Sequence, residues 1–143
     1  MHRYTLVILL GLAVCGAGRP RGAQAPPTVT QIAASWHILA LLSDGTVSAL
    51  GNNRSGQLGR PKVVRGFLPA ARVDLPDKAV QVATGDDDAS YALLENGTVW
   101  AWGHGVSNNL GVRLTGARDR HTPAPVPGLV DVVRIAAHDA AAM

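Results

Sequence analysis

The sequence predicts an all-β fold built from repeated antiparallel sheets. Three features carry that expectation: a motif returning at a spacing of about fifty residues, a Gly-centred turn inside each copy, and the lack of a 3.6-residue apolar rhythm. The motif Ser43-Asp44-Gly45-Thr46-Val47-Ser48-Ala49-Leu50-Gly51 returns 52 residues later as Glu95-Asn96-Gly97-Thr98-Val99-Trp100-Ala101-Trp102-Gly103. Leu58-Gly59 returns at the same offset as Leu110-Gly111. Upstream, Gln31-Ile32-Ala33-Ala34 returns as Gln81-Val82-Ala83-Thr84 and again as Arg134-Ile135-Ala136-Ala137. The second copy carries about two extra residues, within residues 85–89.

Each copy reads as a short series of strands. Ile32-Ala33 is expected to be a short buried strand. His37 to Leu42 is nearly continuous in apolar residues, as in a strand covered on both faces. Asp44-Gly45 and Asn96-Gly97 are expected as type I′ turns, where Gly supplies the positive φ. Thr46 to Leu50 alternates polar and apolar, the pattern of a returning strand. Arg72-Val73-Asp74-Leu75 and Pro125-Val126-Pro127 are candidates for the outer strand, because an edge tolerates Pro. Several short antiparallel strands per unit, repeated in this way, are the pattern of β-propeller blades.

The first residues read as a targeting segment. Arg3 precedes a nearly continuous apolar run over residues 4–17, too short to cross a bilayer comfortably. Residues 1–25 are therefore expected to form a signal helix that is removed, with Ala23-Gln24-Ala25 or Cys15-Gly16-Ala17 at the cleavage site. The chain has one cysteine, Cys15, inside this segment. A mature chain would then hold no disulfide or cysteine-bound metal. Attachment of a lipid through Cys15 is the alternative. The formal net charge is +3 and the Lys and Arg residues are scattered, so no nucleic-acid groove is expected.

Leu50-Gly51-Asn52-Asn53-Arg54-Ser55-Gly56-Gln57-Leu58-Gly59 resembles the W-G-x-N-x-x-G-Q-L-G signature of the regulator-of-chromosome-condensation repeat. Ala34 to Leu41, with His37, resembles that family's G-x-x-H-T-x-A-L element, and Pro125 to Leu129 resembles its link to the next blade. Leu50 stands where the signature has Trp, which Trp102 keeps in the second copy. The resemblance implies a seven-bladed propeller, which at this period needs roughly 350 residues. The expectation is a partial propeller, a fragment: a first blade over about 28–76, a second over 77–127, and the start of a third over 128–143.

Function is expected in a surface and not in chemistry. No nucleophile–base pair, phosphate loop or paired carboxylate stands out, so no catalytic residue, cofactor or metal is expected. His37, His104, His121 and His138 lack ligand spacing. Asp86-Asp87-Asp88 falls in the expansion of the second copy and lacks the alternating form of a calcium loop. It is expected to be a solvated loop able to touch a basic partner. Trp36 precedes a strand and is the aromatic expected at the rim, where exposed aromatics anchor interfaces. The expectation is a secreted or periplasmic module that binds a protein through Trp36, Asp86, Asp87 and Asp88, and not a membrane once its signal is cleaved. The alternatives are regulation of guanine-nucleotide exchange on a small GTPase, which the resemblance implies, and a remnant without function.

Overall fold

The computed structural model of the chain describes residues 25–60, 66–85, 87–105, 110–111 and 119–137. The expected signal segment lies outside them apart from Ala25, as do Cys15, Asp86 and His138. The strands are β1 (Val29–Ala34), β2 (His37–Leu42), β3 (Val47–Asn52), β4 (Phe67–Arg72), β5 (Ala79–Thr84), β6 (Ala89–Leu94), β7 (Val99–His104) and β8 (Asp119–Pro125). They form two antiparallel four-stranded sheets, in the orders β1-β2-β3-β4 and β5-β6-β7-β8. No helix occurs among the described residues. Two equivalent meandering sheets stacked side by side are propeller blades.

The hairpins form where the Gly residues place them, but not as type I′ turns. Gly45 N–H donates to the Leu42 carbonyl (2.9 Å) and Leu42 N–H to the Thr46 carbonyl (2.9 Å). Gly45 has φ +83°, whereas Asp44 is not left-handed, and a type I′ turn needs both. The loop is a type I turn closed by a left-handed Gly bulge. The second hairpin repeats it: Gly97 N–H donates to Leu94 and Leu94 N–H to Thr98. The residue before each Gly fixes the turn with its side chain. Asp44 Oδ1 accepts from Thr46 N–H and Oγ1–H (3.0 and 2.7 Å), and Asn96 Oδ1 does the same for Thr98 (3.1 and 2.7 Å).

The outer strands lie earlier than expected. Val73 to Leu75 follows β4 and Val126 follows β8; only Arg72 and Pro125 of the proposed segments belong to strands. Pro69 in β4, and Pro123 and Pro125 in β8, sit on edge strands, where a missing N–H is tolerated.

Burial along β2 alternates strictly. His37, Leu39 and Leu41 are buried, while Ile38, Ala40 and Leu42 are half-covered. Among the described residues, the second sheet covers only one face of the first, so β2 is not covered on both. Ile32 is on the uncovered face and 63% exposed, against the expectation of a buried strand. The main core lies between the sheets. Leu39, Leu41, Val47, Ala49, Leu58 and Val73 of the first pack against Ala79, Val82, Ala92, Leu94 and Trp102 of the second.

A glutamine clamp holds one inner strand to the next. Gln31 Nε2 donates to the Val82 carbonyl (3.0 Å), and its Oε1 accepts from the Val82 N–H (3.0 Å). Gln81 clamps Ile135 in the same way, at 2.8 and 2.9 Å. Backbone bonds repeat alongside: Ala79 N–H donates to Gly45 O, and Val132 N–H to Gly97 O. Residues 132–137 are therefore seated on the second sheet as β5 is on the first, although they pair with no strand. Replacing Gln31 with leucine removes both bonds and leaves a buried backbone pair unsatisfied. A loss of about 1–2 kcal/mol is expected in urea denaturation.

Candidate protein-binding face

The loops at one end of the sheets are built by the same bonds in both copies. In the first, Ser35 N–H donates to His37 O (2.9 Å) and Asn52 N–H to Trp36 O (3.3 Å). In the second, Gly85 N–H donates to Ala89 O (2.9 Å) and His104 N–H to Asp88 O (3.1 Å). Trp36 and Asp88 thus occupy equivalent places, each the last residue of the turn between the inner two strands. The second turn reaches that place through two additional residues, and Asp88 adopts φ +63°, a left-handed conformation that Asp tolerates better than most residues. Gly103 is required opposite it. A Cβ at Gly103 would collide with the Asp88 carbonyl oxygen.

The two turns flank one seam. His37 follows Trp36, and its Nε2 lies 2.6 Å from Ser90 Oγ on β6. Ser90 Oγ donates to the Gln57 carbonyl (2.8 Å), so it receives the His37 N–H. Trp102 Nε1–H donates to the same carbonyl (2.9 Å). The Asn53-to-Gly59 loop is thereby held against both sheets, and Asn53 Oδ1 accepts from Leu58 N–H (3.0 Å) to shape it. These side chains are buried. His37 is a structural residue joining the sheets, and burial lowers its pKa to about 4.

Around this rigid seam the surface carries aromatic and acidic groups. Trp36 is 68% exposed. Phe67, which opens β4 opposite Asn52, is 79% exposed at the same end. Asp87 is half-buried, and Asp88 is too, with its carboxyl pKa raised by burial. The Gln57 amide faces that carboxyl without full hydrogen-bond geometry and opposes the rise. Asp119, opposite His104 in the β7–β8 pairing, lies 2.6 Å from His104 Nδ1. Burial, with Asp87 adding to it, pushes the Tyr91 phenol up to about 12, so it stays neutral.

Trp36, Asp87 and Asp88 are therefore brought to one end, while Asp86 falls outside the described residues. Phe67 was not foreseen, because it stands outside the repeated motif on a strand without apolar alternation. Among the described residues no group of three or more His, Cys, Asp or Glu is placed to hold a metal ion.

Comparison with known proteins agrees with this architecture. The family model described as "Regulator of chromosome condensation (RCC1) repeat" matches residues 44–88 and 96–143, and a second model of that description matches 79–111. The chain is 34% identical over 131 residues to the Regulator of chromosome condensation of Homo sapiens, covering 89% of this chain and 31% of that protein. Its structure is similar to that of human WBSCR16, with a TM-score of 0.65 and 28% identity over 79% of this chain and 30% of that one. Prp20p of Saccharomyces cerevisiae, studied for its binding to Gsp1p and histones, is similar with a TM-score of 0.63. At 23% identity, over 76% of this chain and 27% of that one, the likeness is one of fold. The chain spans about a third of the length of these relatives.

Proposed function

The chain belongs to the regulator of chromosome condensation (RCC1) repeat family, and from that premise we propose that it is a non-enzymatic protein-binding propeller module. Its contacts lie at the end of the sheets that carries Trp36, Phe67, Asp87 and Asp88. The observation behind this reading is the exposure of Trp36 (68%) on a turn fixed by the buried His37–Ser90 bond. A rigid scaffold presenting an aromatic side chain beside carboxylates suits a partner surface of apolar and basic side chains. Quantitative affinity capture from the source cells tests it, with the wild-type chain and Trp36→Ala and Phe67→Ala side by side. Loss of an aromatic anchor costs about 2 kcal/mol or more, roughly thirtyfold in affinity. Partners retained equally by all three chains would overturn the assignment.

The apolar segment over residues 4–17 supports a secreted or periplasmic location, with lipid attachment through Cys15 as the alternative. Sequencing the N-terminus of the mature protein checks this: a start near Ala25 supports cleavage, and an intact Met1 on a cytosolic protein overturns it.

The 34% identity to the human regulator over nearly the whole chain favours a second reading, regulation of nucleotide exchange on a small GTPase. Fold alone does not carry that activity. Release of a fluorescent guanine nucleotide from a GTPase faster than its intrinsic rate would support it, and an unchanged rate would remove it.

A further inference from the structure

We propose that copies of this chain associate head to tail, the first sheet of one copy seating on the second sheet of another. The argument starts from the two faces of each sheet. In the second sheet, Ala79, Val82, Ala92, Leu94 and Trp102 lie on the face buried against the first. By the repeat and the strand register, their counterparts in the first sheet are Val29, Ile32, Ala40, Leu42 and Leu50. All five are apolar, and none is buried. Val29 pairs with Leu42, Ile32 with Ala40, and Leu50 with Ile38, so the patch is continuous across three strands.

The internal interface shows what covers such a face: the opposite face of another sheet of the same repeat. That opposite face in the second sheet holds Tyr91, Leu93, Val99 and Ala101, and residues 129–137 lie over it. The cover is incomplete. A cleft of about 520 Å³ runs between Tyr91 and Val99 on the sheet and Leu129, Val132 and Ile135 above it. Among the described residues, the first sheet thus presents an apolar face without a cover, and the second a matching face under a segment that pairs with no strand. Exposed apolar faces of this kind drive association.

The clamp supplies the register. Gln81 grips the Ile135 backbone, as Gln31 grips Val82. Ile32 is the counterpart of Val82 on β1, and among the described residues no side chain bonds its backbone. In the assembly, β1 of the incoming copy takes the place of residues 132–137, and Gln81 transfers its amide from Ile135 to Ile32. The contact is heterologous, with different surfaces on the two partners, so it propagates from copy to copy.

Sedimentation velocity of the full chain across a wide concentration range tests the proposal. The weight-average mass is expected to rise with concentration. Ile32→Glu puts a charge on an already exposed position, so the fold survives, and it should return the chain to the monomer. This substitution also separates the proposed contact from association through the apolar residues 4–17, which it leaves untouched. Ile135→Pro removes the N–H that Gln81 accepts and should shift association to several-fold lower concentration by loosening the competing segment. The proposal is overturned if Ile32→Glu associates as the wild type does, if Ile135→Pro weakens association, or if wild type and Ile135→Pro both stay monomeric while circular dichroism reports intact sheets.

Discussion

Trp102→Ala is expected to destabilise the chain by about 3–5 kcal/mol, the range for removing a fully buried tryptophan. Its indole has no exposed surface and lies in the cluster shared by the two sheets. The cost comes mainly from the cavity. The Gln57 carbonyl that accepts from the indole N–H also accepts from Ser90 Oγ, so it keeps a partner when the indole is gone. Gly59 packs against the indole edge, with the space for a Cβ ending 3.0 Å from Nε1, and the surrounding loop cannot collapse far into the vacancy. The remaining buried cluster, Ala89, Ala101 and Leu110, is too small to hold the second sheet by itself. Both sheets should therefore unfold together, in one transition at lower urea. Leu50, at the same place in the repeat, gives the control. It faces outward from the first sheet and is only half-covered, so Leu50→Ala should cost about 1 kcal/mol. Equal losses for the two substitutions would mean that the core is not between the sheets.

That contrast shows what a repeated sequence can and cannot reveal. The hairpins were legible because their signals are local: Asp44-Gly45 and Asn96-Gly97 are turn chemistry, and the strands on either side have their own patterns. The turn type was not, since the Gly alone does not say whether the loop holds two residues or three. The outer strands were misplaced because Phe67–Arg72 and Asp119–Pro125 contain Pro and lack alternation; their pairing comes from β3 and β7. Ile32 looked like core because β-propensity and apolarity do not state which face has a neighbour. The clamps were hidden for a similar reason. Gln31 and Gln81 stand out in the repeat, but the backbone each reaches is 51 and 54 residues away. On the candidate face, Trp36 was identified from its place before a strand. Its equivalence to Asp88 was implicit in the two-residue expansion and became visible only through the repeated carbonyl bonds.

The bond between His37 and Ser90 makes the seam sensitive to acid. The neutral imidazole fits its surroundings: Nε2–H donates to Ser90 Oγ, and Ser35 Oγ lies 3.3 Å from Nδ1, where its hydroxyl can donate. Burial opposes protonation and lowers the pKa from 6.5 to about 4. The unfolded chain therefore binds a proton at this residue at higher pH than the folded chain does. Stability contributed here is fully present above pH 6.5, falls as the pH drops from 6.5 towards 4, and is lost below that, a change of about 3 kcal/mol. Asp88 acts in the opposite direction. Its raised pKa means that the folded state takes up a proton before the unfolded state does, so acid stabilises at that group. Asp44, with its pKa lowered by the Thr46 hydrogen bonds, loses its contribution only below the ordinary carboxylate value of 3.8. Urea denaturation of the wild type and His37→Gln at several pH values separates these effects. Gln can keep a donor towards Ser90 but does not titrate. The difference between the two stabilities should shrink as the pH falls from 6.5 to 4, because only the wild type gains the destabilising proton. Parallel curves across that interval would show that His37 is not held neutral by the seam, and with that the buried link between the two turns would lose its support.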